Sequence, residues 1–191
     1  MNMKRRTVML IGMGVGVSLA AVSGIAISAA PQQDRYSVKV PGGLAFSEFR
    51  GYEKWQLISV SHNGDKLDAV LGNPAMIAAF EAGIPGDGKH FPDGTKMAKV
   101  HWYAVKDEDE PGAPTVPGAQ HDADFMVKDS KRFADSGGWG YAEFEYDAAA
   151  KTFRPGTTSD KPPQGNDAKC GYACHSDVKD RDYVFTKYPT R

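Results

Sequence analysis

Phe91-Pro92-Asp93-Gly94-Thr95-Lys96-Met97-Ala98-Lys99-Val100-His101-Trp102-Tyr103-Ala104-Val105 sets the fold class of this chain. Pro-Asp-Gly is a sequence for a tight reversal. From Lys96 to Val105 the residues then alternate, and Trp102 and Tyr103 add β-propensity, so the run reads as a strand. Alternation puts Met97, Lys99, His101 and Tyr103 on one face and Lys96, Ala98, Val100 and Trp102 on the other. A second alternating run, Trp139 to Tyr146, sets Trp139, Tyr141, Glu143 and Glu145 against Gly140, Ala142, Phe144 and Tyr146. Trp55 to Ser61 reads as another strand, closed by the turn His62-Asn63-Gly64-Asp65, with Lys66 to Leu71 pairing back as a hairpin. Residues 106–122 read as a proline- and glycine-rich loop, followed by a short strand from Asp124 to Lys128. One helix is expected after Asn73-Pro74, since asparagine suits the N-cap and proline the first helical position. Met76, Ile77 and Phe80 form its apolar face, and Gly83 ends it. The sum is an α+β domain, a mostly antiparallel sheet with a few short helices.

The first residues, Met1-Asn2-Met3-Lys4-Arg5-Arg6, are a positive start to a long apolar run that ends in Ala26-Ile27-Ser28-Ala29-Ala30. This is the pattern of a secretory signal over residues 1–30, which implies a periplasmic protein; an uncleaved membrane anchor is the alternative. Removing those 30 residues from the 191-residue chain leaves 161, enough for one domain over residues 31–191. It also removes three positive charges, so the formal net charge moves from -1 to -4. No basic stripe is present, and nucleic acid is excluded as a partner. The acidic run Asp107-Glu108-Asp109-Glu110 reads as a solvated loop.

Both cysteines of the chain fall in Cys170-Gly171-Tyr172-Ala173-Cys174-His175. An exported pair of thiols can form a disulfide, but a four-residue separation bridges only with strained geometry. Two thiols followed at once by an imidazole suit a different task. The thiols add to the two vinyl groups of a haem, and the histidine ligates its iron. The usual spacing for that task is one residue shorter, and the extra residue is expected to bulge out at Gly171. Small helical cytochromes carry this motif near the N-terminus. Here it follows a β-rich domain, so the haem c is expected to pack on the sheet.

Several separated segments resemble the cytochrome P460 family. They are Tyr52-Glu53-Lys54-Trp55, Leu71-Gly72-Asn73-Pro74, the stretch from Phe91 to Lys99, Asp129-Ser130-Lys131-Arg132-Phe133, Trp139-Gly140-Tyr141, the residues before His175, and Asp182-Tyr183-Val184-Phe185-Thr186. The resemblance implies one covalent haem c per chain, held by Cys170 and Cys174 with His175 as the iron ligand, and a homodimer. It also implies a lysine linked to the porphyrin edge. Lys99, five residues after Gly94, matches that position. Such members oxidise hydroxylamine to nitrous oxide or nitric oxide. Their relatives, the cytochromes c-prime-beta, lack the link and bind nitric oxide. A small nitrogen-oxide or hydroxylamine substrate and a soluble electron-accepting cytochrome are the implied partners.

Which chemistry follows depends on the far side of the iron, where a methionine or histidine would make an electron-transfer cytochrome. Met76, Met97, Met126, His90, His101 and His121 are candidates there; the methionines read more simply as packing. Oxidation of hydroxylamine needs a base to receive N–H and O–H protons. Glu143, Glu145 and Asp167 are candidate bases, with Glu143 joining Lys99 as a catalytic candidate. Phe91, Phe125 and Phe144 are candidates for an aromatic cap, which would favour gas binding over oxidation.

Overall fold

Asn73 ties the first helix to the strand that carries Lys99. In the computed structural model, which describes residues 34–40, 42–86, 88–156 and 167–189, helix α1 spans Pro74–Glu81 and strand β3 spans Lys96–Lys106. The Asn73 carboxamide oxygen accepts from the backbone N–H of Met76 and of Lys96, both at 3.0 Å, and its amide donates to the Gly94 carbonyl at 2.9 Å. One side chain therefore caps the helix and fixes the reversal before β3. Gly83, at φ +80°, follows the helix end in the left-handed conformation that suits glycine. The expected signal segment, residues 1–30, lies outside the described residues.

Six strands form one antiparallel sheet in chain order: β1 Gln56–Asn63, β2 Lys66–Gly72, β3, β4 Thr115–Lys128, β5 Trp139–Asp147 and β6 Thr152–Pro155. With α1 and the short helix α2, Tyr172–His175, this is the mostly antiparallel α+β class expected from the alternation. Two expectations need correction. Strand β1 continues through His62 and Asn63, so the hairpin turn is Gly64-Asp65 alone. More substantially, the expected loop over 106–122 is mostly strand: β4 starts at Thr115, pairing Lys106 with Thr115 and Ala104 with Pro117. Pro117 is tolerated because β5 pairs with β4 only from Asp122 onward. Before that point β4 is an edge on one side, where a missing N–H costs nothing. The short strand β6 was not expected.

The two sheet faces have different covers. Ala98, Phe125 and Ala142 lie in register on one face, and Val100, Ala123 and Phe144 form the next row. Phe46 and Phe49, in a 3-10 turn at Phe46–Phe49, cover this face. Phe49 stacks on Phe125 at 4.3 Å, and Phe46 meets Phe144 and Phe153 at 4.9 Å. Each fully buried aromatic of this kind contributes about 1.5–3 kcal/mol. Lys96 also points this way, its ammonium donating to the Glu48 carbonyl. The opposite face carries Met97, Met126 and Tyr141, packed with Met76, Ile77, Phe91, Cys170 and Val184. Lys96 and Lys99 are thus separated by the sheet, as the alternation requires.

Candidate functional site

Three cross-strand rows build the site on the second face. Gly72, Met97, Met126 and Tyr141 form the first row; Ser59, Val70, Lys99, Asp124 and Glu143 the second; Ser61, Asp68, His101, Asp122 and Glu145 the third. The first row is apolar and packs under the C-terminal segment. The second row lies open at the floor of a cavity of about 500 Å³, inside the range of about 300–1,000 Å³ that small-molecule and cofactor sites occupy. Cys170, Gly171, Cys174, His175, Phe185 and Thr186 form the wall facing it.

The wall is built by a single helical turn. Gly171 has helical dihedrals, and the His175 N–H donates to the Gly171 carbonyl at 3.0 Å. Cys170 immediately precedes the turn, Cys174 lies within it, and both line the cavity. The expected bulge at Gly171 is not formed: this residue has helical dihedrals and caps the turn. The thiols are not bridged to each other; Cys170 is buried and Cys174 exposed. Gly171 permits the turn to lie directly on the sheet, because a Cβ there would come within 2.5 Å of the Tyr141 ring.

His175 is oriented by the chain that follows it. Its Nδ1–H donates to the Tyr183 carbonyl at 2.6 Å, which leaves the Nε2 lone pair for a metal. The ring sits 5.0 Å from both Tyr141 and Phe185. Burial, joined by the positive charge of Lys99, outweighs the hydrogen bond and lowers the imidazole pKa, so the ring stays neutral. The Tyr141 hydroxyl is buried without a hydrogen-bond partner, and burial, then the charges of Tyr183 and Asp182, raise its pKa. Two thiols lining one cavity, a neutral imidazole and an apolar first row fit a haem held by Cys170, Cys174 and His175.

Asp182 fastens this wall to the sheet. Its carboxylate accepts from the Lys128 ammonium at 2.7 Å and the Phe91 N–H at 2.7 Å, with both charged side chains almost wholly buried. Asp182→Ala leaves the Lys128 charge without its carboxylate, and loss of one partner of a buried pair costs about 3–5 kcal/mol. Urea unfolding of this variant is expected to show that loss, and an unchanged midpoint would mean the pair contributes no net stability.

The charged residues of the floor differ in their settings. Lys99 Nζ lies 3.0 Å from Asp68 Oδ2. Asp124 opens into the cavity, its side chain 46% exposed and surrounded by the cavity walls. Burial first, then the like charges of Asp122 and Glu143, push its carboxyl up to about 7. Lys99 and Glu143, both named from the sequence, line the same cavity as the cysteines and His175. Glu145 instead pairs with Arg154 at 2.5 Å, and Asp167 lies beside Lys169, 3.4 Å away; neither lines the cavity. Among the candidate sixth ligands, Met76 is core, Met97 and Met126 pack beside Cys170 and also line the cavity, and His90 pairs with Asp182. His101 is held between Asp68 and Asp122, and His121 bonds to Asp122. Of the candidate caps, Phe91 is buried against Trp139 and Phe144 lies on the other face; Phe125 borders the cavity.

Asp124, Asp68 and Phe185 escaped sequence reasoning as cavity or near-cavity groups. The signal for Asp124 existed, since Asp122, Asp124 and Met126 alternate, but only the register places Asp124 opposite Lys99. No helix among the described residues is long and apolar enough to cross a membrane. A family model described as Cytochrome P460 matches residues 49–186. No curated protein matches the chain.

Proposed function

The chain belongs to the cytochrome P460 family, a family of haem proteins, and from that premise we propose that it is an exported, periplasmic oxidase of hydroxylamine. In this reading one haem c is joined to Cys170 and Cys174 by thioethers, with His175 as its iron ligand and Lys99 linked to the ring edge. The products are nitrous oxide or nitric oxide. A soluble cytochrome accepts the electrons, and two chains form a homodimer.

The observation that carries the reading is the cavity floor: Lys99, Asp124 and Glu143 stand in one cross-strand row facing the segment from Cys170 to His175. The bound haem supplies an electron sink and a Lewis-acidic iron. His175, kept neutral by burial and held in one tautomer by the Tyr183 carbonyl, is suited to hold that iron. Asp124 and Glu143 are suited to orient a small N–H and O–H donor and receive its protons. A wholly aromatic floor would exclude such a donor and favour nitric oxide binding, so the two carboxylates favour oxidation.

The pH profile tests the base. Asp124 accepts a proton only as carboxylate, which predominates above about 7. Hydroxylamine oxidation, followed as kcat/KM with a soluble electron acceptor, is therefore expected to rise as pH increases through about 7. Asp124→Asn should remove that limb and lower the rate by about a hundredfold or more, the range for a lost general base. Absence of hydroxylamine-dependent acceptor reduction in the unaltered protein would overturn the assigned reaction. A profile unchanged in Asp124→Asn would move the base role to Glu143, tested in the same way with Glu143→Gln.

A further inference from the structure

The third cross-strand row, one step beyond the cavity floor, has no role in holding a haem, yet it is a continuous series of acids and bases. Lys99 Nζ and the Ser61 hydroxyl, both at the cavity, lie 3.0 and 3.2 Å from Asp68 Oδ2. Asp68 is 97% buried, with 3% side-chain exposure, and its Oδ1 has no hydrogen-bond partner. That orphaned oxygen stands 3.6 Å from His101 Nε2. The other ring nitrogen, His101 Nδ1, donates to Asp122 Oδ1. Asp122 Oδ2 in turn lies 2.5 Å from Nδ1 of His121, whose side chain is 28% exposed.

We propose that Asp68, His101, Asp122 and His121 form a proton path between the cavity and solvent. A structural salt-bridge cluster would close its hydrogen bonds on itself. Here one carboxylate oxygen is left open toward the unbonded nitrogen of a histidine whose other nitrogen already donates onward. Starting from the neutral ring with its proton on Nδ1, His101 takes a proton at Nε2 from protonated Asp68, which is refilled from the cavity, and becomes an imidazolium. It then passes its Nδ1 proton to Asp122, which hands one to His121 and so to water. One proton moves per cycle and no electrons move; the ring is left with its proton on Nε2, and a turn of the imidazole restores the starting tautomer.

The surroundings suit a group that holds and releases a proton. His101 faces Asp68 from β2, Asp122 and Asp124 from β4, and Lys99 on its own strand; Glu145 of β5 lies in register with Asp122. Burial opposes charge on the ring, but the Asp122 hydrogen bond and the carboxylates of Asp124 and Asp122 outweigh it, and the His101 pKa is raised. Burial likewise pushes Asp122 up, yet the hydrogen bonds from both histidines prevail and its carboxyl pKa is lowered.

The path deepens the proposed oxidation, on which its physiological use rests, because each electron taken from an N–H or O–H donor leaves a proton to be cleared. Its test does not depend on hydroxylamine. The haem-loaded protein, weakly buffered with phenol red, is reduced by flash photolysis of a ruthenium polypyridyl complex. Reduction and proton uptake from solvent are recorded together. In the unaltered protein the two traces are expected to coincide. In His101→Phe, with its haem spectrum unchanged, the proton trace should lag by about tenfold or more, and added imidazole should restore it. Asp122→Asn, which keeps the size of the side chain, should show the same lag. Coincident traces in both variants, a lag that imidazole does not relieve, or no proton uptake by the unaltered protein would overturn the path. A relieved lag in a protein that does not oxidise hydroxylamine would keep the path and remove only the assigned substrate.

Discussion

Lys99→Arg is expected to abolish steady hydroxylamine oxidation and return the reduced Soret band to that of an ordinary c-type haem. The substitution separates charge from covalent chemistry. Lys99 stands on the cavity floor, its ammonium 3.0 Å from Asp68 Oδ2 and its side chain 38% exposed. Arginine keeps a positive charge, comparable reach and the capacity to pair with Asp68. Its guanidinium stays protonated and does not become a nucleophile, whereas a primary amine can form a bond to carbon. The field at the cavity is therefore preserved while the link to the ring edge is lost. Reduced-minus-oxidised spectra with and without hydroxylamine read both outcomes. A spectrum identical to that of the unaltered protein would show that Lys99 is not linked. A changed spectrum with turnover intact would show that the link is dispensable for the reaction.

Replacing both Cys170 and Cys174 with alanine is expected to remove every covalent bond between haem and the motif. Each single variant should keep one. The two thiols are expected to act as a pair because both line the cavity on either side of the turn start at Gly171, with His175 next in sequence. Their unequal exposure, Cys170 buried beside Tyr141 and Cys174 exposed, adds an ordering. Cys170→Ala also takes a sulfur from the packed first row and should cost stability as well as a bond, while Cys174→Ala should cost mainly the bond. Acidified organic solvent would extract haem from the Cys170→Ala Cys174→Ala protein if only Lys99 were not linked as well. Combining the double variant with Lys99→Arg is therefore the arrangement that should release haem completely. Retention of haem through denaturation in that triple variant would mean that another residue is bonded to the ring.

The parts of this architecture that were legible from sequence are those decided by local chemistry. The alternation of β3 and β5 separates core from cavity residues without any knowledge of partners, which is why Lys99 and Lys96 are assigned to opposite faces correctly. Asn73-Pro74 announces α1 because a cap is a local hydrogen bond, made here to the Met76 N–H. Residues 115–121 were illegible because Pro117 and Gly118 signal a loop, and their tolerance in a strand depends on which neighbour is absent, a tertiary fact. The same limit hid the carboxylates. Glu143 was visible on its alternating strand, but Asp124 becomes its neighbour only through the β4–β5 register, and Asp68 reaches His101 only through β2–β3. The overlong cysteine spacing was ambiguous as a string of letters, and only the fold shows that Cys170, before the turn, and Cys174, within it, line the same cavity.

The central claim is that the segment from Cys170 to His175, facing Lys99, holds a covalently bound haem. The most direct test is the intact mass of the purified protein after full denaturation, followed by mapping of the added mass to peptides. The expected result is one haem mass per chain that survives unfolding and is found on a peptide containing Cys170 to His175, joined to a peptide containing Lys99. An intact mass equal to that of the bare polypeptide would contradict the account.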